Sequence, residues 1–122
     1  FELQKALKDQ GDITYAIRNM LHMMPGPLPS LEAMAERFCV SSRTLKRRLA
    51  EKDTTYREIV ETVLKDRAIQ LLRYTNQSVS EIAYELGYAD LSNFSRAFRK
   101  WTGKSASEFR EGGPDPAPEV GP

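Results

Sequence analysis

Two short basic runs hold the side chains best able to do chemistry in this chain of 122 residues. The first is Ser42-Arg43-Thr44-Leu45-Lys46-Arg47-Arg48-Leu49, followed by Lys52. The second is Leu91-Ser92-Asn93-Phe94-Ser95-Arg96-Ala97-Phe98-Arg99-Lys100, followed by Lys104. A guanidinium is a planar fork of N–H donors that grips two acceptors at once, such as phosphate oxygens or O6 and N7 of a guanine. Within each run apolar residues recur four apart, Leu45 with Leu49 and Phe94 with Phe98, which is one face of a helix. The cations between them then point away from a core. No comparable set exists for catalysis. His22 is the only histidine and Cys39 the only cysteine, so a zinc site cannot be assembled. His22 reads as a surface or packing residue, and Cys39 as a core filler in a turn. No catalytic residue, metal or cofactor is expected, and no phosphate-binding glycine loop occurs.

Charge is segregated along the chain. The net charge is only +1, from 18 cations and 17 anions. Residues 41–53 carry five cations against two anions, and residues 90–104 carry four against Asp90, so each segment stands at +3. The remainder of the chain is therefore at −5. Two basic helices on an acidic body are the electrostatic footprint of a phosphate-rich partner.

The elements that position these runs form a repeat. Ser30-Leu31-Glu32-Ala33-Met34-Ala35-Glu36-Arg37-Phe38 lies over Ser78-Val79-Ser80-Glu81-Ile82-Ala83-Tyr84-Glu85-Leu86. Leu31, Met34, Ala35 and Phe38 fall on Val79, Ile82, Ala83 and Leu86, each set spaced i, i+3, i+4, i+7. After one inserted residue, Leu45 to Leu49 falls on Phe94 to Phe98. Each copy reads as a short helix, a tight turn and a second helix bearing cations. That is the layout of a helix-turn-helix, whose second helix enters the DNA major groove.

The rest of the chain fits around these copies, giving an all-α fold of about seven helices. Residues 1–27 are an N-terminal linker and a first helix from Ile13 to about Met23, capped by Asp12 and ended by Pro25-Gly26-Pro27. The first helix-turn-helix spans 28–53. A long linker helix occupies 54–75, opened by the capping box Thr55-Tyr56-Arg57-Glu58. Residues 76–111 form the second helix-turn-helix and a closing helix, with capping boxes at Ser78…Glu81 and Ser105…Glu108, and Asp90 capping the second recognition helix. Gly87 suits a positive φ in its turn, whereas Cys39 at the equivalent place predicts a turn built without one. Residues 112–122, rich in Gly and Pro, read as a disordered tail. The chain opens at Phe1 without a methionine, which suggests a piece of a longer protein. A linker of about nineteen residues would be a rod of roughly 28 Å, against ~34 Å between successive major grooves on one DNA face. Loops or DNA bending would make up the difference.

From about Leu28 to Arg110 the chain resembles the DNA-binding domain of the AraC/XylS family of bacterial transcription regulators. The resemblance rests on Ser78-Val79-Ser80-Glu81-Ile82-Ala83, Leu86-Gly87-Tyr88 and Asn93-Phe94-Ser95-Arg96-Ala97-Phe98-Arg99-Lys100. Trp101-Thr102-Gly103, Ser107-Glu108-Phe109-Arg110 and the linker segment Ala68-Ile69-Gln70-Leu71-Leu72 continue it. Three positions depart from the family pattern: Leu64 stands where arginine is usual, Ala106 where proline is, and Tyr88 where phenylalanine is. In the first recognition helix Ser42, Arg43, Lys46 and Arg47 are the expected base readers. In the second, the resemblance implies Leu91, Ser92, Ser95 and Arg96, with Arg96 open to a phosphate or carboxylate instead. Phosphate contacts are expected from Ser30, Arg48, Lys52, Ser78, Asn93, Arg99 and Lys104, the two serines through helix N-termini. Trp101, Phe109 and Tyr88 are expected to pack.

The reading is thus a sequence-specific binder of double-stranded promoter DNA that regulates transcription initiation, with two recognition helices in successive major grooves. The resemblance implies RNA polymerase as a further partner, and a sensor or dimerisation domain elsewhere in the same protein. A protein-interaction module is the competing class, but it calls for a contiguous apolar groove in place of paired basic helices. An enzyme acting on DNA lacks a nucleophile or metal set. A lone cysteine suits the reducing cytoplasm, and no apolar run approaches the ~18 residues of a membrane span.

Overall fold

The computed structural model describes residues 13–112, and these form seven α-helices. They are α1 (Ile13–Met23), α2 (Leu31–Arg37), α3 (Ser42–Ala50), α4 (Tyr56–Tyr74), α5 (Val79–Glu85), α6 (Leu91–Thr102) and α7 (Ala106–Glu111). The expected all-α class is observed. Among the described residues no helix is long and apolar enough to cross a membrane. The chain divides into two compact units between Leu64 and Lys65, within α4. The cap expected at Asp12, the linker of residues 1–11 and the tail beyond Gly112 lie outside the described residues.

Side-chain caps set where helices begin. Ser30, Ser41 and Asp90 accept the backbone N–H three residues on, at 3.1, 3.0 and 2.8 Å. Thr55 with Glu58, Ser78 with Glu81 and Ser105 with Glu108 close reciprocal boxes, each carboxylate bonding back to the cap's own N–H. Such caps contribute about 1 kcal/mol each. Accepting the Ser105 backbone N–H, and then its hydroxyl, holds the Glu108 carboxyl below its ordinary range.

Left-handed residues set where helices end. Cys39, Asp53, Gly87 and Gly103 have φ of 58°, 57°, 93° and 82°. After α5 the Gly87 N–H bonds Tyr84 O and the Tyr88 N–H bonds Ala83 O, both at 3.0 Å. After α2 the Cys39 N–H bonds Glu36 O at 3.0 Å and the Val40 N–H bonds Ala35 O at 3.1 Å. The two closures are the same paired motif, which requires a left-handed residue. Two expectations about Cys39 are therefore corrected. Its turn does use positive φ, because closing α2 by these bonds demands it. Its thiol is exposed and fills no core.

These signals extend the repeat beyond two helices. Ser30 and Cys39 precede Ser78 and Gly87 by 48 positions, while Ser41, Leu45 and Leu49 precede Asp90, Phe94 and Phe98 by 49. Asp53 and Thr55 precede Gly103 and Ser105 by 50. Each copy is therefore a three-helix unit, and the start of α4 is the closing helix of the first copy as α7 is of the second.

Each unit has its own core. In the first, Ile17, Leu21, Met34, Ala35, Leu45, Leu49, Ile59 and Val63 cluster, all at most 2 % exposed. In the second, Ala68, Leu72, Ile82, Ala83, Leu86, Phe94, Phe98 and Ala106 are buried. Phe98 meets Trp101 and Phe109 edge-on at centroid distances of 6.3 and 5.4 Å, and Tyr88 meets Phe94 at 5.5 Å. All three outer rings pack, as expected. The buried positions of α4 step by four from Ile59 to Val63 and from Ala68 to Leu72, but by five between Val63 and Ala68. The stripe breaks there because the helix serves two cores in turn. The Tyr56 hydroxyl donates to Pro29 O at 2.7 Å, joining the start of α4 to the segment before α2. Burial, opposed by Arg37, pushes that phenol up to about 12.

A left-handed conformation costs a residue with a Cβ about 1–2 kcal/mol, while glycine's extra freedom in the unfolded chain costs about 0.4–1 kcal/mol. Cys39→Gly should therefore raise unfolding stability by roughly 0.5–1 kcal/mol in urea titration. Cys39→Val should lower it, because a β-branched residue resists this φ. A destabilising Cys39→Gly would contradict the turn described.

Candidate nucleic-acid interface

Burial fixes the rotation of each recognition helix. In α3, Leu45 and Leu49 are 0 and 1 % exposed. At 3.6 residues per turn, Arg43 and Arg47 then stand opposite the core, with Lys46 and Arg48 on the two flanks. All four are exposed, as is Lys52. Ser42, in the first turn, lies toward the core side and is half-buried. None of the five cations hydrogen-bonds or ion-pairs with another described residue. An ion pair between Arg57 and Glu61, at 3.5 Å, lies on α4 instead. The α3 face thus offers uncompensated donors to solvent.

The same construction holds in α6. Phe94 and Phe98 are fully buried, which turns Ser92, Arg96 and Lys100 outward one turn apart, with Asn93 and Arg99 beside them; all are exposed. Ser95 is a half-buried flank residue, and Leu91 opens the helix 43 % exposed. Arg43 and Ser92 are repeat equivalents, as are Arg47 and Arg96. The two arginines differ in their partners: the Arg96 guanidinium donates to Asn93 Oδ1, whereas no described residue engages Arg47. Arg99 and Lys104 both lie near enough to Glu108 to favour its ionised form.

The remaining candidates sit at helix starts. Ser30 and Ser78 are exposed N-caps whose hydroxyls are occupied by Ala33 and Glu81 N–H groups. Sequence reasoning overlooked Lys100, although its i+4 spacing from Arg96 was the available signal. It also assigned no role to Tyr56 or Arg110, whose partners lie far away in sequence.

Residues 34–112 match the model of a helix-turn-helix domain family. The ornithine utilization regulator of Pseudomonas aeruginosa is 42% identical over 109 residues, covering 89% of this chain and 32% of its own length. The crystal structure of the transcriptional regulator CdpR, also from Pseudomonas aeruginosa, superposes with a TM-score of 0.82 at 38% identity, covering 89% of this chain and 35% of that one. The chain belongs to the AraC/XylS family. The AraC-type chain therefore spans about a third of the length of the curated relative. The DNA-binding domain of the global transcriptional factor AdpA, solved in complex with a target DNA, is 25% identical with a TM-score of 0.67, covering 81% of this chain and 87% of that one.

Family membership makes the departures informative. The AraC-type proline position is held here by Ala106, the first residue of α7. A proline fits there, since the first helical N–H has no partner within the helix. The preceding Ser105 already has φ −74° and ψ 160°, the extended region that a following proline demands. Ala106→Pro should therefore stabilise the second unit by about 0.4–1 kcal/mol through the unfolded chain, read as a higher melting temperature. A fall would mean that the buried Ala106 pocket has no room for the ring.

Proposed function

We propose that this chain binds double-stranded DNA sequence-specifically and regulates transcription initiation, with α3 and α6 entering successive major grooves on one face of the duplex. The observation that supports it most is the duplicated outward face: Arg43 and Arg47 on α3, Ser92 and Arg96 on α6, each set opposite a buried i, i+4 pair.

Base reading falls to Arg43, Lys46 and Arg47, and to Leu91, Ser92, Ser95 and Arg96; Ser42, expected among the readers, is half-buried toward the core side and is the weakest of the set. A bidentate arginine–guanine pair is worth ~1–3 kcal/mol of discrimination, and Arg43 and Arg47 are the strongest candidates because nothing described competes for their donors. Leu91 offers an apolar contact to a thymine methyl. Ser30, Arg48, Lys52, Ser78, Asn93, Arg99 and Lys104 meet phosphates, which position the protein without reading sequence. The second copy has fewer strong readers, and its arginine is shared with Asn93, so it contributes more to positioning than to specificity. The 19 residues of α4 give a rod of roughly 28 Å, so element spacing becomes part of what is recognised. This role involves no catalysis or cofactor. RNA polymerase, a sensor or dimerisation domain of the same protein and a cytoplasmic setting complete the reading.

Selection of bound sites from a random double-stranded pool tests it, run in parallel with Arg47→Ala and Arg96→Ala. A motif of two elements about one helical turn apart is expected, each variant losing one element. Loss of a single element with Arg47→Ala, and none with Arg96→Ala, would reduce the second unit to a backbone anchor. Absence of enrichment even at low salt would overturn the assignment.

A further inference from the structure

The linker helix ends without a glycine. Leu71 O there accepts the Thr75 N–H at 3.2 Å and the Thr75 hydroxyl at 2.6 Å, and one residue from α7 also reaches the carbonyls of this end, which the helix itself leaves without a full set of partners. Arg110 Nε donates to Leu72 O at 3.1 Å, and Nη2 donates to Leu71 O at 3.3 Å and to Thr75 O at 3.1 Å. Nη1 donates to Gln77 O. These acceptors lie on both sides of the junction: Leu71 and Leu72 in the last turn of α4, Thr75 and Gln77 in the connection that leads to the Ser78 cap of α5. Beside them the Arg73 guanidinium lies over the Phe109 ring, 5.3 Å from its centroid. Neighbouring residues of α7 thus hold α4 at two points.

The first unit has a counterpart. Pro29 precedes the Ser30 cap as Gln77 precedes the Ser78 cap, 48 positions later. Its carbonyl is held by the Tyr56 hydroxyl at the start of α4. In both copies, then, the closing helix reaches back to the carbonyl just before the helix-turn-helix. Only in the second copy does the same side chain also grip the preceding helix.

We propose that Arg110 is a positioning residue for DNA recognition: by bonding carbonyls on both sides of the α4–α5 junction, it fixes the direction in which the second helix-turn-helix leaves the linker helix, and so sets the element spacing that the chain accepts. This rests on the two-element reading above. Arg110 acts through these carbonyls and not by touching DNA itself. A lysine in its place keeps the positive charge that favours a helix C-terminus, but its single ammonium cannot span the fork of acceptors.

The test uses duplexes carrying both selected elements at their selected spacing, and the same duplexes with one base pair inserted or removed between them. They are titrated with the unsubstituted chain, Arg110→Lys and Arg110→Ala, at a temperature where circular dichroism shows each fully helical. The unsubstituted chain should prefer the selected spacing. Both variants should lose about tenfold of that preference, comparable to one weakened base contact, while keeping their affinity for a duplex with the first element alone. If Arg110→Ala does not fold, Arg110→Lys decides. Undiminished spacing preference in Arg110→Lys overturns the proposal, and so does a parallel loss of affinity for the first element. An unsubstituted chain indifferent to spacing overturns the two-element reading, and the proposal with it.

Discussion

Two pairs of buried side chains govern everything this chain presents to a partner. Leu45 with Leu49 and Phe94 with Phe98 sit one helical turn apart in α3 and α6, and each is almost wholly removed from solvent. Truncating such a residue costs about 2–5 kcal/mol, a large share of the stability of a small unit. Because a helix is a rigid screw, burying one stripe fixes the azimuth of every other residue. The outward direction of Arg43, Arg47, Ser92 and Arg96 is therefore a packing result. Among the described residues no charge interaction aims them, and in α3 none holds them. In α3 the donors that phosphate or base edges would need are left unused by the described residues, whereas in α6 Arg96 shares one with Asn93.

Around those pairs the two copies use one set of boundaries with different residues. Serine or aspartate starts each recognition helix, and a left-handed residue ends the helix before it. In the second copy that residue is Gly87, at little cost; in the first it is Cys39, which carries conformational strain and leaves its thiol exposed. Such a position tolerates an unfavoured residue because the paired bonds back into α2 over-determine its conformation. The third helix of each copy then closes the unit. The first copy's closing helix is extended into a second role, and the five-residue step from Val63 to Ala68 marks the handover from one core to the next.

Much of this was legible in the residues. Helix starts were readable because hydroxyl and carboxylate caps act within three residues of themselves. The buried pairs were readable because their period is helical, and the outward arginines followed from them. What escaped was of two kinds. Cys39 gives no side-chain signal for positive φ, and its apolar character pointed to the core; the demand comes from hydrogen bonds between backbone groups, which leave no trace in composition. The reach of Tyr56 to Pro29 and of Arg110 to Leu71, Leu72, Thr75 and Gln77 spans between 27 and 39 positions, and its acceptors are main-chain carbonyls that any residue would supply. The third member of the repeat was hidden by the drift in offset from 48 to 50 positions.

The central claim is that two equivalent outward faces read two major grooves. Methylation at guanine N7 blocks the major-groove edge without disturbing the phosphates, so interference mapping on a bound duplex addresses it directly. Two clusters of interfering guanines are expected, about one helical turn apart on one face of the DNA, the stronger cluster disappearing in Arg47→Ala. A single cluster, or none despite tight binding, would contradict it.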